Sequence, residues 1–243
     1  AQDATPAATP ATGGMNMTGT AAAPNAPVKF FTDSEAKTVD AIASRIMPGT
    51  ADDPGAHEAG VVTYIDNQLF GTNLGYDLKT YQQGPFLVTS DQATRVEATS
   101  SEDIYHTVPV DTAQAGRYGY QSSMVPQEMY RRGLGFIDAY AQSKFKKNFA
   151  DLAADQQDSI LTDMAADKAT GFNGPSAKGF FGQLRNDTIE GMFSDPMYGG
   201  NQGMVGWKLV GFPGAQHRYT PDDMNNASFS VAPMSLAQMI TGQ

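Results

Sequence analysis

Asp155-Gln156-Gln157-Asp158-Ser159-Ile160-Leu161-Thr162-Asp163-Met164 decides the fold class. Gln157, Ile160, Leu161 and Met164 stand at i, i+3, i+4 and i+7, which stacks them on one side of an α-helix within an Asp- and Gln-rich surface. The same period extends outward in both directions. Upstream, a helix from Pro126 to about Phe145 carries Met129, Gly133, Phe136, Ile137 and Tyr140 as its stripe, with Arg131 and Arg132 facing elsewhere. Gly133 and Gly135 each cost roughly 1 kcal/mol relative to alanine inside a helix. A close neighbouring helix is the expected reason for them. Downstream, a helix from about Ser176 to Phe193 carries Phe180, Phe181, Leu184, Thr188, Ile189 and Met192, and Asp195-Pro196 ends it.

Toward the N-terminus, Thr32-Asp33-Ser34-Glu35 is a capping box, and the Val39, Ile42 and Ile46 face follows it until Pro48-Gly49. Pro54-Gly55-Ala56-His57-Glu58 is expected to open a second helix, burying Val61, Val62, Ile65 and Leu69 and closing at Gly71, so that the two form an αα-hairpin. Between Thr72 and Val125, Tyr76, Tyr81, Phe86, Tyr105, Tyr118 and Tyr120 follow no sustained period. Long ordered loops with a short strand or two are expected there, covering this protein's surface or lying on another's. Residues 1–27, rich in Ala, Pro and Thr, cannot bury enough apolar surface to offset the entropy of ordering them, and read as a disordered arm. The start Ala1-Gln2-Asp3 hints that an export signal has been removed. The expected fold is mainly α: a small helical domain of about five helices with long ordered loops and a disordered N-terminal arm.

Composition narrows the function. The 243 residues, 40% apolar, suffice for one core with a tail. A net charge of -10 argues against nucleic acid and anionic membrane surfaces as partners, since both need clustered Lys and Arg. With no cysteine, the chain has no disulfide, no thiolate metal site, no iron–sulfur cluster of its own and no covalently attached haem. No apolar run approaches the roughly 18 residues that span a bilayer. His57, His106 and His217 are the only histidines and share no metal-ligand spacing. His57-Glu58 reads as a solvated polar face, and Met15 and Met17 as part of the arm's low-complexity sequence. Gly133-Leu134-Gly135 lacks the third glycine of a dinucleotide fingerprint and lies inside a helix. Glu190 and Asp195 are the one candidate acid/base pair, against their simpler role at a helix end.

The segment Met197 to Gly214 holds six glycines and the only tryptophan. It is too glycine-rich for a helix and too aromatic for a flexible linker, so it must be ordered by what it packs against. Phe193, Tyr198, Trp207 and Phe212 are the candidate partner-binding residues, large anchors in a frame that lets backbones approach. The competing expectation is that they fold over this protein's own helices.

Four blocks in order carry a family resemblance. They are Phe30-Phe31-Thr32 leading through Ala41-Ile42-Ala43-Ser44-Arg45-Ile46-Met47-Pro48; Pro54-Gly55-Ala56-His57-Glu58-Ala59-Gly60-Val61 with Tyr64-Ile65-Asp66; Tyr81-Gln82-Gln83-Gly84-Pro85-Phe86; and Thr188-Ile189-Glu190-Gly191-Met192-Phe193-Ser194-Asp195-Pro196-Met197-Tyr198-Gly199-Gly200-Asn201 through Trp207-Lys208 to Phe212-Pro213-Gly214. With them the chain resembles subunit 3, the small subunit, of the gluconate 2-dehydrogenase family of flavoprotein–cytochrome c complexes. The resemblance delimits a helical domain at 28–216 and leaves 217–243 as a C-terminal extension. It implies a non-catalytic subunit whose large partner holds FAD and oxidises a sugar acid, sugar or polyol. A multihaem cytochrome c partner carries haem c and passes electrons to membrane quinone, with an iron–sulfur cluster as a further candidate cofactor in the partner subunits. It also implies a role in the large subunit's maturation, twin-arginine export, and residence in the periplasm at the inner membrane through the partners. No catalytic, cofactor-binding or metal residue carries over. The alternatives are a stand-alone periplasmic carbohydrate-binding module and a carboxylate-based enzyme.

Overall fold

A computed structural model describes residues 27–50, 52–70, 124–216 and 218–241, together with the backbone of two short strands at 86–89 and 107–110. Residues 1–26 of the arm, with Met15 and Met17, and His106, His217 and the tyrosines of the middle segment lie outside the described residues.

Eight α-helices are present among them: α1 (Asp33–Ile46), α2 (Val61–Leu69), α3 (Pro126–Phe145), α4 (Ala154–Ala165), α5 (Ala177–Phe193), α6 (Val205–Val210), α7 (Pro221–Asn225) and α8 (Leu236–Thr241). The first five are the expected core helices. The strands β1 (Phe86–Thr89) and β2 (Thr107–Val110) pair in parallel, with Phe86 opposite Thr107 and Thr89 opposite Val110. α1 and α5 each pack on every other helix of the first five, so the core lies between them.

Local chemistry sets the ends. In α1 the Thr32 hydroxyl accepts the Glu35 N–H at 3.3 Å, and the Glu35 carboxylate accepts the Thr32 N–H at 2.8 Å. The α2 expectation needs correction: residues 54–60 form turns, and the helix begins only at Val61. Gly60 sits at φ +69°, a left-handed conformation that cannot continue a helix backward. The loop before it is tied back to α1 by the Ala56 N–H, which donates to the Met47 carbonyl at 2.9 Å. The α3 stripe is also shifted. Tyr130 and Leu134 are buried with Met129, Gly133 and Ile137, whereas Phe136 and Tyr140 are half-buried. Gly133 does have its close neighbour: a Cβ there would stand 2.3 Å from the Phe180 ring of α5. Gly135 faces open space. In α4, Gln157, Ile160, Leu161 and Met164 are the four buried residues.

A column of rings crosses the core. Phe31, Tyr130 and Phe180 have centroids 5.8 and 5.4 Å apart, within the range where tilted and edge contacts are favourable. Beneath it, the Tyr130 hydroxyl donates to the buried Asp187 of α5, which also accepts from the Gln183 side chain at 2.9 Å. The chain entering α1 is held from α2. Asp66, 2% exposed, accepts the backbone N–H groups of Lys29, Phe30 and Phe31 at 2.7, 2.9 and 2.9 Å. Arg131 of α3 lies 4.2 Å over the Phe30 ring and donates to the Phe30 carbonyl and the Glu35 carboxylate.

His57, in the loop before α2, meets the Asp40 carboxylate of α1 at 2.9 Å. That hydrogen bond, partly opposed by burial, holds the imidazole above its usual pKa, with Asp40 and Glu58 adding attraction. Because the folded value exceeds the unfolded one of about 6.5, the pair's stabilisation is complete below that pH and is lost as pH rises through the folded value. Both side chains are about a third to a half exposed, so solvent limits its worth to at most about 1 kcal/mol. Unfolding midpoints measured from pH 6 to 8 should fall slightly in the native chain. The His57→Gln chain should lack that component of the slope.

Candidate partner-docking surface

The segment after α5 is built by backbone approach. Asp195 caps the turn Pro196–Tyr198 by accepting the Met197 N–H at 3.0 Å, and Gly199 follows at φ +100°. Asn201 is wholly buried in a left-handed conformation and its polar groups are satisfied. Its N–H donates to the Gly191 carbonyl at 2.8 Å, its side-chain amide to the Ser194 carbonyl at 2.9 Å, and its side-chain oxygen accepts the Gly206 N–H at 2.9 Å. Contrary to expectation, Val205–Val210 is a helix despite Gly206. A Cβ at Gly206 would stand 2.1 Å from the Met192 carbonyl, so the glycine is what allows α6 to lie against the end of α5. Gly211, at φ +67°, closes α6.

The four sequence candidates divide. Trp207, 5% exposed, donates its indole N–H to the Phe193 carbonyl at 2.7 Å, and Phe193 is half-buried against the core. Phe212 meets the Trp207 ring edge-on at 5.2 Å but is itself 48% exposed. Tyr198 lies apart from them on the α2 side, packed on the core, with its carbonyl accepting from Asn67 at 3.3 Å. Trp207, Phe193 and Tyr198 thus serve chiefly this chain's own packing, and Phe212 faces outward.

The segment 218–241 completes the surface. Gly214 pairs with Met234 in a single parallel bridge; the Ala215 N–H donates to the Met234 carbonyl at 2.7 Å, and the Met234 N–H to the Pro213 carbonyl at 3.1 Å. Asp195 reaches across to accept the Leu236 N–H at 2.7 Å at the start of α8. Between α6 and this segment lies an open groove of about 460 Å³. One wall is Trp207, Phe212 and Pro213; the other includes Tyr219, Phe229 and Pro233, with Tyr219 and Phe229 edge-to-face at 5.9 Å.

Sequence reasoning missed the second wall. Of eleven exposed large hydrophobic residues among those described, eight fall between Leu209 and Ile240, and Phe212, Tyr219, Phe229 and Val231 of these line the groove. A signal was present: no charged residue occurs from Met224 to Gln243, in a chain of net charge -10.

The remaining candidates have structural partners. Glu190 accepts the Tyr64 hydroxyl at 2.9 Å, and burial together with that carboxylate pushes the Tyr64 hydroxyl well above its usual pKa. Both Asp195 oxygens accept backbone N–H groups. Among the described residues, no three His, Cys, Asp or Glu side chains cluster as a metal site, and no helix is long and apolar enough to cross a membrane.

The arrangement defines a helical domain closed by a glycine-rich aromatic clasp, with an aromatic-walled groove beside it. The chain belongs to the gluconate 2-dehydrogenase subunit 3 family, whose model matches residues 33–214. No curated protein and no solved structure matches the chain.

Proposed function

We propose that this chain is the non-catalytic small subunit of a periplasmic dehydrogenase complex. Its large subunit binds FAD and oxidises a sugar acid, sugar or polyol. A multihaem cytochrome c subunit relays the electrons and holds the assembly at the inner membrane. The small chain stabilises the folded flavoprotein and travels with it through twin-arginine export. The observation that carries this reading is the family match over 33–214, and the concentration of uncharged, exposed apolar residues at 209–240 gives such a chain a surface to offer a partner.

The test is co-expression with a gluconate-dehydrogenase-type flavoprotein. With this chain present, the flavoprotein should be recovered folded, FAD-loaded and in complex with it. Without the chain, the yield of active flavoprotein in the periplasm should fall at least about tenfold, the effect of removing about 1.4 kcal/mol of stabilisation. Equal yields with and without it, or turnover by the small chain alone, would overturn the proposal.

A further inference from the structure

The groove's far wall lies beyond the family match, which ends at residue 214. We propose that this groove receives an extended, uncharged, proline-bearing segment of the flavin-binding large subunit, and that the 218–241 segment selects that partner; this rests on the reading of the chain as the accessory subunit.

Three features of the groove carry the inference. First, its walls set two edge-to-face aromatic pairs, Trp207 with Phe212 and Tyr219 with Phe229, beside Pro213 and Pro233. Grooves lined by aromatic rings are the recognition mode for polyproline II segments, whose stiff backbone loses little entropy on docking. Second, the polar side chains along it carry donors: the Lys208 ammonium and the Tyr219 and Ser230 hydroxyls. A polyproline II strand makes no internal hydrogen bonds, so its carbonyls are available to such donors. A helix would have spent most of them internally. Third, Lys208 is the only charged residue among the described residues that line the groove, and no charge follows Asp223. An ion seated anywhere except beside Lys208 would be desolvated without a partner, so the matching segment is uncharged.

The sole tryptophan lies in the groove and serves as the probe. The full chain is labelled with 5-fluorotryptophan and titrated with unlabelled flavoprotein, with binding read by the single ¹⁹F resonance and by copurification. Tyr219→Ser and Phe229→Ser, at partly exposed positions, are checked for unchanged circular dichroism and thermal midpoint; Phe70→Ser, an exposed aromatic at the end of α2, is the control. The resonance should shift on adding flavoprotein, and each groove variant should weaken binding on the order of tenfold or more, as for an interface anchor. The control should bind as the native chain does. Hydrogen exchange should show protection in an uncharged, proline-bearing stretch of the flavoprotein.

Native-like binding by both groove variants, or protection only in a charged or helical stretch, would overturn the inference while leaving the accessory role intact. It would equally fall if the resonance of the chain alone moved with concentration, marking a second copy as occupant. A shift on replacing Pro6, Pro10 and Pro24 by glycine would mark the chain's own arm instead. If the native chain failed to bind any such flavoprotein, the accessory-subunit reading itself would fall.

Discussion

Asp66→Ala should be among the most damaging single substitutions in the core, lowering stability by about 3–5 kcal/mol in chemical denaturation. The aspartate accepts three consecutive backbone N–H groups, from Lys29, Phe30 and Phe31, and the bond to Phe31 is buried. Removing it strands donors that water cannot reach freely and releases the strand entering α1. Phe31 then loses its seat against Tyr130, and Phe30 its place under Arg131. For a domain whose total stability lies in the usual range of roughly 5–15 kcal/mol, that is a large fraction. Asp66→Asn should fall between the two, because its amide keeps one accepting oxygen but turns a donor toward another donor. An alanine variant with a native denaturation midpoint would show that the three bonds are replaced by water.

Trp207→Ala should cost about 3–5 kcal/mol in the isolated subunit, the usual range for emptying a buried aromatic site. The indole fills the space between α6 and the bridge to Met234, where a Cβ on Gly214 would stand 2.6 Å from its ring. Its N–H is also the partner of the Phe193 carbonyl. Trp207→Phe keeps most of the ring and loses that hydrogen bond, about 1 kcal/mol. Loss of a complex in the alanine variant therefore reports unfolding of the clasp rather than a missing contact, and docking is better probed at Phe212, Tyr219 and Phe229. Native stability of Trp207→Ala by thermal denaturation, with loss of flavoprotein binding alone, would reverse that assignment.

The helices were legible where the signal is local. α1 announces itself through the Thr32–Glu35 box, α4 through four residues at ideal spacing, and α5 through its periodic apolar residues and the stop at Asp195-Pro196. α2 was placed too early because Gly60's left-handed conformation depends on a loop folded back on Met47, a contact that no local pattern encodes. α6 was missed for the opposite reason: Gly206 argues against a helix by propensity, and only the proximity of the Met192 carbonyl explains why glycine is required there. The shift of the α3 stripe toward Tyr130 follows from Asp187, which gives that phenol a buried partner. Among the anchors named in sequence, burial separates Trp207 from Phe212 although they touch. The groove itself was invisible because its walls come from 207–213 and 219–233 and meet only through the Gly214–Met234 bridge.

The close glycine contacts of the clasp also act as a ratchet. At Gly200, Gly206 and Gly214, an added methyl would fall 2.2, 2.1 and 2.2 Å from the carbonyls of Gly191, Met192 and Met234. Slipping the segment by one residue in either direction would press a side chain into one of those oxygens. The clasp therefore closes in one alignment or not at all. In a saturation library these three sites should be intolerant to every replacement, while the outward residues between them vary freely.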